Sequence, residues 1–384
     1  MNEFKKLTEF LDTVNVNYGV PGCDCVITKD GEVIYRHSTG FSNLETKQPV
    51  SPRDTYWLYS ASKLATCTAA MQLIEQGKLS LDAPASRYLP EYAHLTVRDA
   101  DGSVRPAKTI LTVRHLMTMT GGFDYDLTRP ALASVINGPE ELRTTRNVVA
   151  ALAKDPLLFD PGAHFKYSFC HDVLGAVIEV VSGMRLSDYL AQNIFRPLEM
   201  QDTTLIPTDE LRSRMAVQYI HTDSVGTLGQ YNQGNEWRFS ERYDSGGAGV
   251  VSTVDDYIKF LTALSLGGTA ANGYRVLKPE SIAVMASPCL DGVQLADFWK
   301  RSAAMKGYSY GLGVRVLIDN EGIESTLGEF GWDGAAGAYV LIDPKNHIAM
   351  YYAQHVYSCP IVYQQLHPRL RDTAGSCLKA IYGL

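Results

Sequence analysis

Segments with strand texture stand at both ends of this chain, and helical runs fill the stretch between them. Near the start, Cys23 to Thr28 and Glu32 to His37 are β-rich and are joined by Lys29-Asp30-Gly31, a turn sequence. That pattern predicts a hairpin. Near the end, Tyr310 to Ile318 and Ile323 to Leu327 flank Asp319-Asn320-Glu321-Gly322, and Ala338 to Ile342 and Ile348 to Tyr352 flank Asp343-Pro344-Lys345-Asn346. Two further hairpins are predicted there. Hairpins make antiparallel sheet, and a half-buried sheet needs a covering layer. The fold class expected is α/β (α+β): an antiparallel sheet flanked by helices, built from both chain ends, with a mainly helical domain inserted. Residues 1–80 and 245–384 are assigned to the discontinuous sheet domain, and 81–244 to the insert.

The middle supports that division. Helical patterns cover residues 112–119, 139–155, 172–182 and 187–193, and another runs from about Val254 to Leu266. The loops 123–140 and 220–245 carry no clear pattern, and a closing helix is expected from Gln364. At the start, Met1 to Leu11 reads as an amphipathic helix; its lysines are not followed by the apolar stretch of a signal peptide. With no apolar run near the roughly 20 residues of a membrane span, a cytoplasmic protein is expected. Net charge is −7 and basic clusters are absent, so neither nucleic acid nor a membrane surface is an expected partner. Seven cysteines without a Cys-x-x-Cys pair suit reduced thiols. Cys23 and Cys25 are read as facing opposite sides of their strand. No His-Glu-x-x-His occurs and the nine histidines are scattered, so neither metal nor cofactor is expected. Gly247-x-Gly249 lacks the third glycine of a dinucleotide site.

The chemistry is sought at Tyr59-Ser60-Ala61-Ser62-Lys63-Leu64. From Leu64 to Gln76 the chain consists of good helix formers without Pro or Gly, and Gly77 is a natural stop. Leu64, Cys67, Met71 and Ile74 recur at helical spacing and predict one apolar stripe. Ser60 falls on the first turn, with Lys63 one turn later on the same face. A serine hydroxyl is a weak nucleophile until a neighbouring base takes its proton, and an amine one turn away can do so. The tetrad alone says little, because Ser376-Cys377-Leu378-Lys379 repeats it. A competitor is Gly307-Tyr308-Ser309-Tyr310-Gly311, which matches the nucleophile elbow Gly-x-Ser-x-Gly, with acids and histidines following in order. An elbow needs a helix after it, and Leu312 to Ile318 reads as strand.

Several segments in order resemble one family, the serine β-lactamase and penicillin-binding-protein superfamily, in its class C-like branch that includes the family VIII carboxylesterases. Ser60-Ala61-Ser62-Lys63 is similar to its first motif. Val113-Arg114-His115-Leu116-Met117-Thr118 with Gly121-Gly122-Phe123, Phe159-x-Pro161-Gly162-x-x-Phe165-x-Tyr167-Ser168, Ile194 to Thr203 and Ser245 to Thr253 resemble further segments, and Gly331-Trp332-Asp333-Gly334 falls at its third motif. The resemblance implies a cleft between the two domains. There Ser60 would be acylated, Lys63 would take or share its proton, and Tyr167 would shuttle the proton to the leaving group. The amides of Ser60 and Ala335 would hold the oxyanion, and Phe169, Trp332, Asp333 and Gly334 would contact substrate. Two departures matter. Phe169 replaces the family's Asn, and Trp332 replaces the Lys that helps hold a substrate carboxylate. Both favour a neutral, more apolar small-molecule acyl substrate, hence an esterase. The alternatives kept open are a β-lactamase, a D-amino-acid amidase or peptidase, an acyltransferase, and a binding protein without turnover.

Overall fold

The computed structural model describes residues 3–223 and 226–384. Met1 and Asn2, the first residues of the expected N-terminal helix, lie outside them. Eight strands form the main sheet: β1 (Gly22–Lys29), β2 (Glu32–Asn43), β3 (Gln48–Pro49), β4 (Tyr308–Tyr310), β5 (Arg315–Leu317), β6 (Phe330–Gly331), β7 (Tyr339–Asp343) and β8 (Ile348–Ala353). Their order is β4-β5-β6-β7-β8-β1-β2-β3, antiparallel throughout. The first hairpin is therefore zipped onto the last strand, with Cys25 between Tyr352 and His37. Its turn uses Asp30 at φ 52° and Gly31 at φ 92°, the paired left-handed residues of a two-residue turn that matches strand twist.

Two strand expectations are corrected. Tyr310 to Ile318 is not one strand: the chain reverses between β4 and β5, with Gly313 at φ +85° packed against Cys67. Alternating residues on either side of a tight reversal look like one continuous strand. Ile323 to Leu327 forms no strand, and β6 pairs with β5 instead.

The helices that frame the sheet and the site are α1 (Lys5–Leu11), α2 (Lys63–Glu75), α3 (Val113–Met117), α4 (Cys170–Ser182), α5 (Val254–Ser265) and α6 (His367–Tyr382). One sheet face buries Cys23, Cys25 and Ile27 with Leu7 and Leu11 of α1 and Leu370 of α6. The other buries Val26 and Tyr351 against Phe260 and Leu261 of α5. Covered on both sides, β7 and β8 are buried along their whole length, which is why they read as apolar runs. Cys23 and Cys25 thus share a face, contrary to expectation, because residues two apart in a strand point the same way. All seven cysteines are unpaired.

Helix α2 is buried on every side from Lys63 to Leu73, not along one stripe. Two of its polar side chains reach backbone carbonyls elsewhere in the fold: Thr66 Oγ1 donates to the Gly246 carbonyl at 2.7 Å, and Gln72 Nε2 donates to those of Asn193 and Val276. Residues 81–244 hold α3, α4, shorter helices and two small ribbons. The helix expected over 139–155 is confined to Thr145–Leu152 and capped by Thr144, whose side chain accepts from the Asn147 amide. The unassigned loop 123–140 contains a helix, Pro130–Ile136. Among the described residues no helix is long and apolar enough to cross a membrane.

Two buried histidines lie beside the functional region. Burial lowers the pKa of His171 to about 3, aided by the Lys63 charge, and that of His355 to about 4. His355 Nδ1 donates to the Ala216 carbonyl, and Nε2 accepts from the Trp57 amide at 3.3 Å. Both rings are neutral in the fold but take a proton near pH 6.5 when unfolded. Their stabilising contribution is present above about pH 6.5 and is lost as pH falls toward 4. In an NMR titration the His355 ring shifts should stay flat from about pH 7 to 5. A midpoint near the free value would contradict this placement.

Candidate active site

Ser60 sits in a 3₁₀ turn, Tyr59–Ser62, just ahead of α2. It is not the helix cap. Ser62 holds that position, and its hydroxyl accepts from the Val250 amide at 3.0 Å. Tyr59 has φ +45°, a left-handed conformation that costs about 1–3 kcal/mol for a non-glycine residue. Its burial maintains it: the hydroxyl donates to Gln218 Oε1 at 2.6 Å, and the ring lies 5.2 Å from that of Tyr357. The kink turns the next side chain, Ser60, into a cavity of about 410 Å³.

Lys63 is completely buried. Its Nζ donates to Ser60 Oγ at 3.1 Å and to the Gly247 carbonyl at 2.6 Å. It also lies 4.7 Å from the centroid of the Tyr167 ring and 5.7 Å from that of Tyr125. The Gly247 carbonyl is placed by Asp172, at the start of α4. That carboxylate accepts from Tyr243 Oη at 2.7 Å, Ser245 Oγ at 2.8 Å and the Gly247 amide at 3.3 Å. Burial raises its pKa, and the Lys63 charge opposes the rise. The glycine pair permits this approach. A Cβ on Gly246 would overlap the His171 carbonyl, and one on Gly247 would meet Asp172 Oδ2 at 2.6 Å.

In the same cavity, Trp332 Nε1 donates to the Tyr167 hydroxyl at 2.9 Å, with the rings 5.4 Å apart. Asp333 and Gly334 also line the cavity, but the Asp333 carboxylate is engaged by buried Arg315 at 2.7 Å and by His367 at 3.6 Å. Burial, the largest single effect, pushes that carboxyl up, but Arg315, His367 and Arg301 together outweigh it, so the pKa lies below the usual range. Ala335 follows on the same wall. Its carbonyl accepts from the Ser358 amide at 2.7 Å and from Tyr363 Oη, while its own amide donates no hydrogen bond among the described residues. Two free-standing requirements for acyl transfer are thus met in one cavity: a serine beside an amine, and an unused backbone donor in the same lining. Among the described residues no cluster of three or more His, Cys, Asp or Glu could hold a metal ion.

Residues 4–357 match the family model described as Beta-lactamase. The chain belongs to the Beta-lactamase family. Esterase EstB of Burkholderia gladioli is 29% identical over 348 residues, covering 84% of this chain and 82% of that one. The lovastatin esterase of Penicillium rubens is 29% identical, covering 88% of each. Among solved structures, EstCE1, described as a hydrolase with promiscuous acyltransferase activity, superposes with a TM-score of 0.79 at 26% identity, covering 97% of this chain and 98% of that one. The fold is therefore β-lactamase/transpeptidase-like, as the motif order implied.

Against that family frame, one expected contact does not reach the cavity. Phe169 is buried behind the wall, with its ring 4.7 Å from Tyr125 and 5.9 Å from Trp237. An apolar ring at this position gains more from that core than from solvent. The rival serines fall away. Ser309 is completely buried on β4, with strand β5 following instead of a helix. Ser376 lies exposed on α6, and its Lys379 faces Glu324 at 3.5 Å. Sequence reading missed Asp172, Tyr125 and Arg301. Tyr125 lies two residues after the quoted Gly-Gly-Phe segment, and Asp172 opens a recognised helix, but their roles arise from contacts across the fold. Arg301 carried no motif at all.

Proposed function

We propose that this Beta-lactamase family member is a serine hydrolase that cleaves esters of small acyl substrates through an acyl-enzyme on Ser60. The observation that carries the reading is the buried Lys63 amine 3.1 Å from Ser60 Oγ, at a cavity that Ser60 lines together with Tyr167, Trp332 and Ala335. Ser60 Oγ attacks the carbonyl carbon, and Lys63 and Tyr167 take its proton as a pair. The amides of Ser60 and Ala335 donate to the tetrahedral oxyanion. Collapse expels the alkoxide, which takes a proton from Tyr167. Water then attacks the acyl-Ser60 ester by the same route, frees the acid and restores the hydroxyl. No cofactor enters these steps.

The esterase names of two relatives support the ester substrate, and so does Trp332, which offers a flat apolar wall and one N–H in place of a cation. That substitution weighs against a β-lactamase or amidase. Transfer of the acyl group to an alcohol instead of water is the second reading, favoured by the acyltransferase activity in the description of EstCE1. We place the cavity between a sheet domain of residues 1–80 and 245–384 and an insert of 81–244. A cytoplasmic setting fits seven unpaired cysteines.

Fluorophosphonate labelling followed by peptide mapping tests the nucleophile. The label is expected on the peptide containing Ser60. A label on Ser309, or none on folded protein, would overturn the assignment. Faster turnover of nitrocefin than of short-chain nitrophenyl esters would shift the substrate class to β-lactams.

A further inference from the structure

Arg301 lines the cavity with Ser60 and Tyr167, and its side chain is exposed. Its guanidinium carbon lies 4.2 Å from the centroid of the Tyr167 ring and 5.9 Å from that of Trp332. Stacking occupies the flat faces of a guanidinium and leaves its N–H donors pointing outward in the plane. Among the described residues the Arg301 side chain makes no hydrogen bond and has no carboxylate within 4.0 Å. The nearby acids are taken: Asp297 pairs with His164 at 2.7 Å and Lys300 at 3.0 Å, and Asp333 pairs with Arg315. Arg301 and Asp333 are the full charges on the cavity wall; Asp333 feels Arg301 but makes its ion pair with Arg315, so Arg301 is the charge without a paired carboxylate.

The backbone beneath this cation is fixed. Phe298, three residues earlier, is completely buried, with its ring 5.1 Å from Phe165 and 5.8 Å from Tyr310. Trp299 Nε1 donates to the Tyr308 carbonyl at 2.7 Å, and the Arg301 amide donates to the Phe298 carbonyl at 3.2 Å. A fork of donors is thereby held beside the hydroxyl that serves the leaving group.

We propose that Arg301 is a specificity-determining residue, and that the site takes esters whose leaving group carries a carboxylate. The proposal rests on the Ser60 ester-hydrolase reading and revises the neutral substrate expected from Trp332: the acyl part stays neutral and the leaving group carries the charge. Trp332 supplies no cation to such a group; Arg301 supplies one from a different part of the chain. The carboxylate sits against the guanidinium edge as a charge-assisted pair, while the alkoxide oxygen faces Tyr167.

The test compares kcat/KM for a neutral nitrophenyl butanoate and its ring-carboxylated analogue in the wild-type protein, Arg301→Gln and Arg301→Lys. Intrinsic differences in ester reactivity cancel when variants are compared. The preference for the carboxylated ester should fall about tenfold in Arg301→Gln, mainly through KM, and be partly kept in Arg301→Lys. Added salt should erode the wild-type preference. If Arg301→Gln slows both esters by the same factor, Arg301 only shapes the wall and the proposal fails. If Ser60→Ala still turns over both esters, the hydrolase reading itself fails.

Discussion

Ser60→Ala is expected to lower kcat for short-chain nitrophenyl esters by about four to six orders of magnitude. Loss of four orders corresponds to about 5 kcal/mol of transition-state stabilisation. The size follows from the loss of the covalent route. Without Oγ there is no acyl-enzyme, and the lysine and tyrosine have no proton to move. Stability should hardly change, because among the described residues the Ser60 hydroxyl has Lys63 as its hydrogen-bond partner, and Lys63 keeps the Gly247 carbonyl. The check is steady-state kinetics beside a denaturant titration of the same preparation. An unchanged rate would remove Ser60 from the mechanism, and a collapsed unfolding midpoint would make the loss structural.

Arg315→Met should cost about 3–5 kcal/mol of stability, the scale for breaking a buried ion pair by removing one partner. Arg315 is 2% exposed, donates to Asp333 at 2.7 Å and to the Val340 carbonyl at 2.8 Å, and lies 4.4 Å from the centroid of the Tyr339 ring. Its loss strands Asp333, and also Glu329, whose pKa burial raises and Arg315 lowers. The sign of the pH dependence separates this from simple loss of packing. In the wild type the Asp333 pKa lies below its unfolded value, so its contribution is present above about pH 4 and is lost as pH falls below that. In Arg315→Met, burial without the cation raises that pKa above the unfolded value. The cost of the substitution should therefore shrink as pH is lowered from about 7 toward 5. Denaturant midpoints at the two pH values check it; a cost independent of pH would deny Asp333 and Glu329 their part. Activity should fall as well, since Asp333 lies two residues before Ala335 on the cavity wall.

The sheet was legible where turn chemistry marked the reversal. Asp30-Gly31 announces its own backbone geometry, and the hairpin before α2 follows from it. Tyr310 to Ile318 was misread because Gly311 and Gly313 bend the chain inside what looks like one alternating run, and the bend is set by contact with Cys67. Helix α2 had the expected start and stop, but its burial on all sides depends on Gly246, Asn193 and Val276 accepting its polar groups. None of these lies near it in sequence.

The same division holds at the site. The ordered motifs sufficed for the family and the fold, and they named Ser60, Lys63, Tyr167 and Trp332, which the structure brings together, because local helix spacing places Lys63 one turn from Ser60 and segment order carries the rest. Sequence composition could not say which side chains surround them. Only the tertiary structure turned Phe169 into the core, tied Asp333 to Arg315, set Asp172 behind the acceptor of Lys63 and laid Arg301 on the Tyr167 ring. Those contacts join segments far apart in the chain, and burial and charge pairing act on distance in space, which residue spacing does not record.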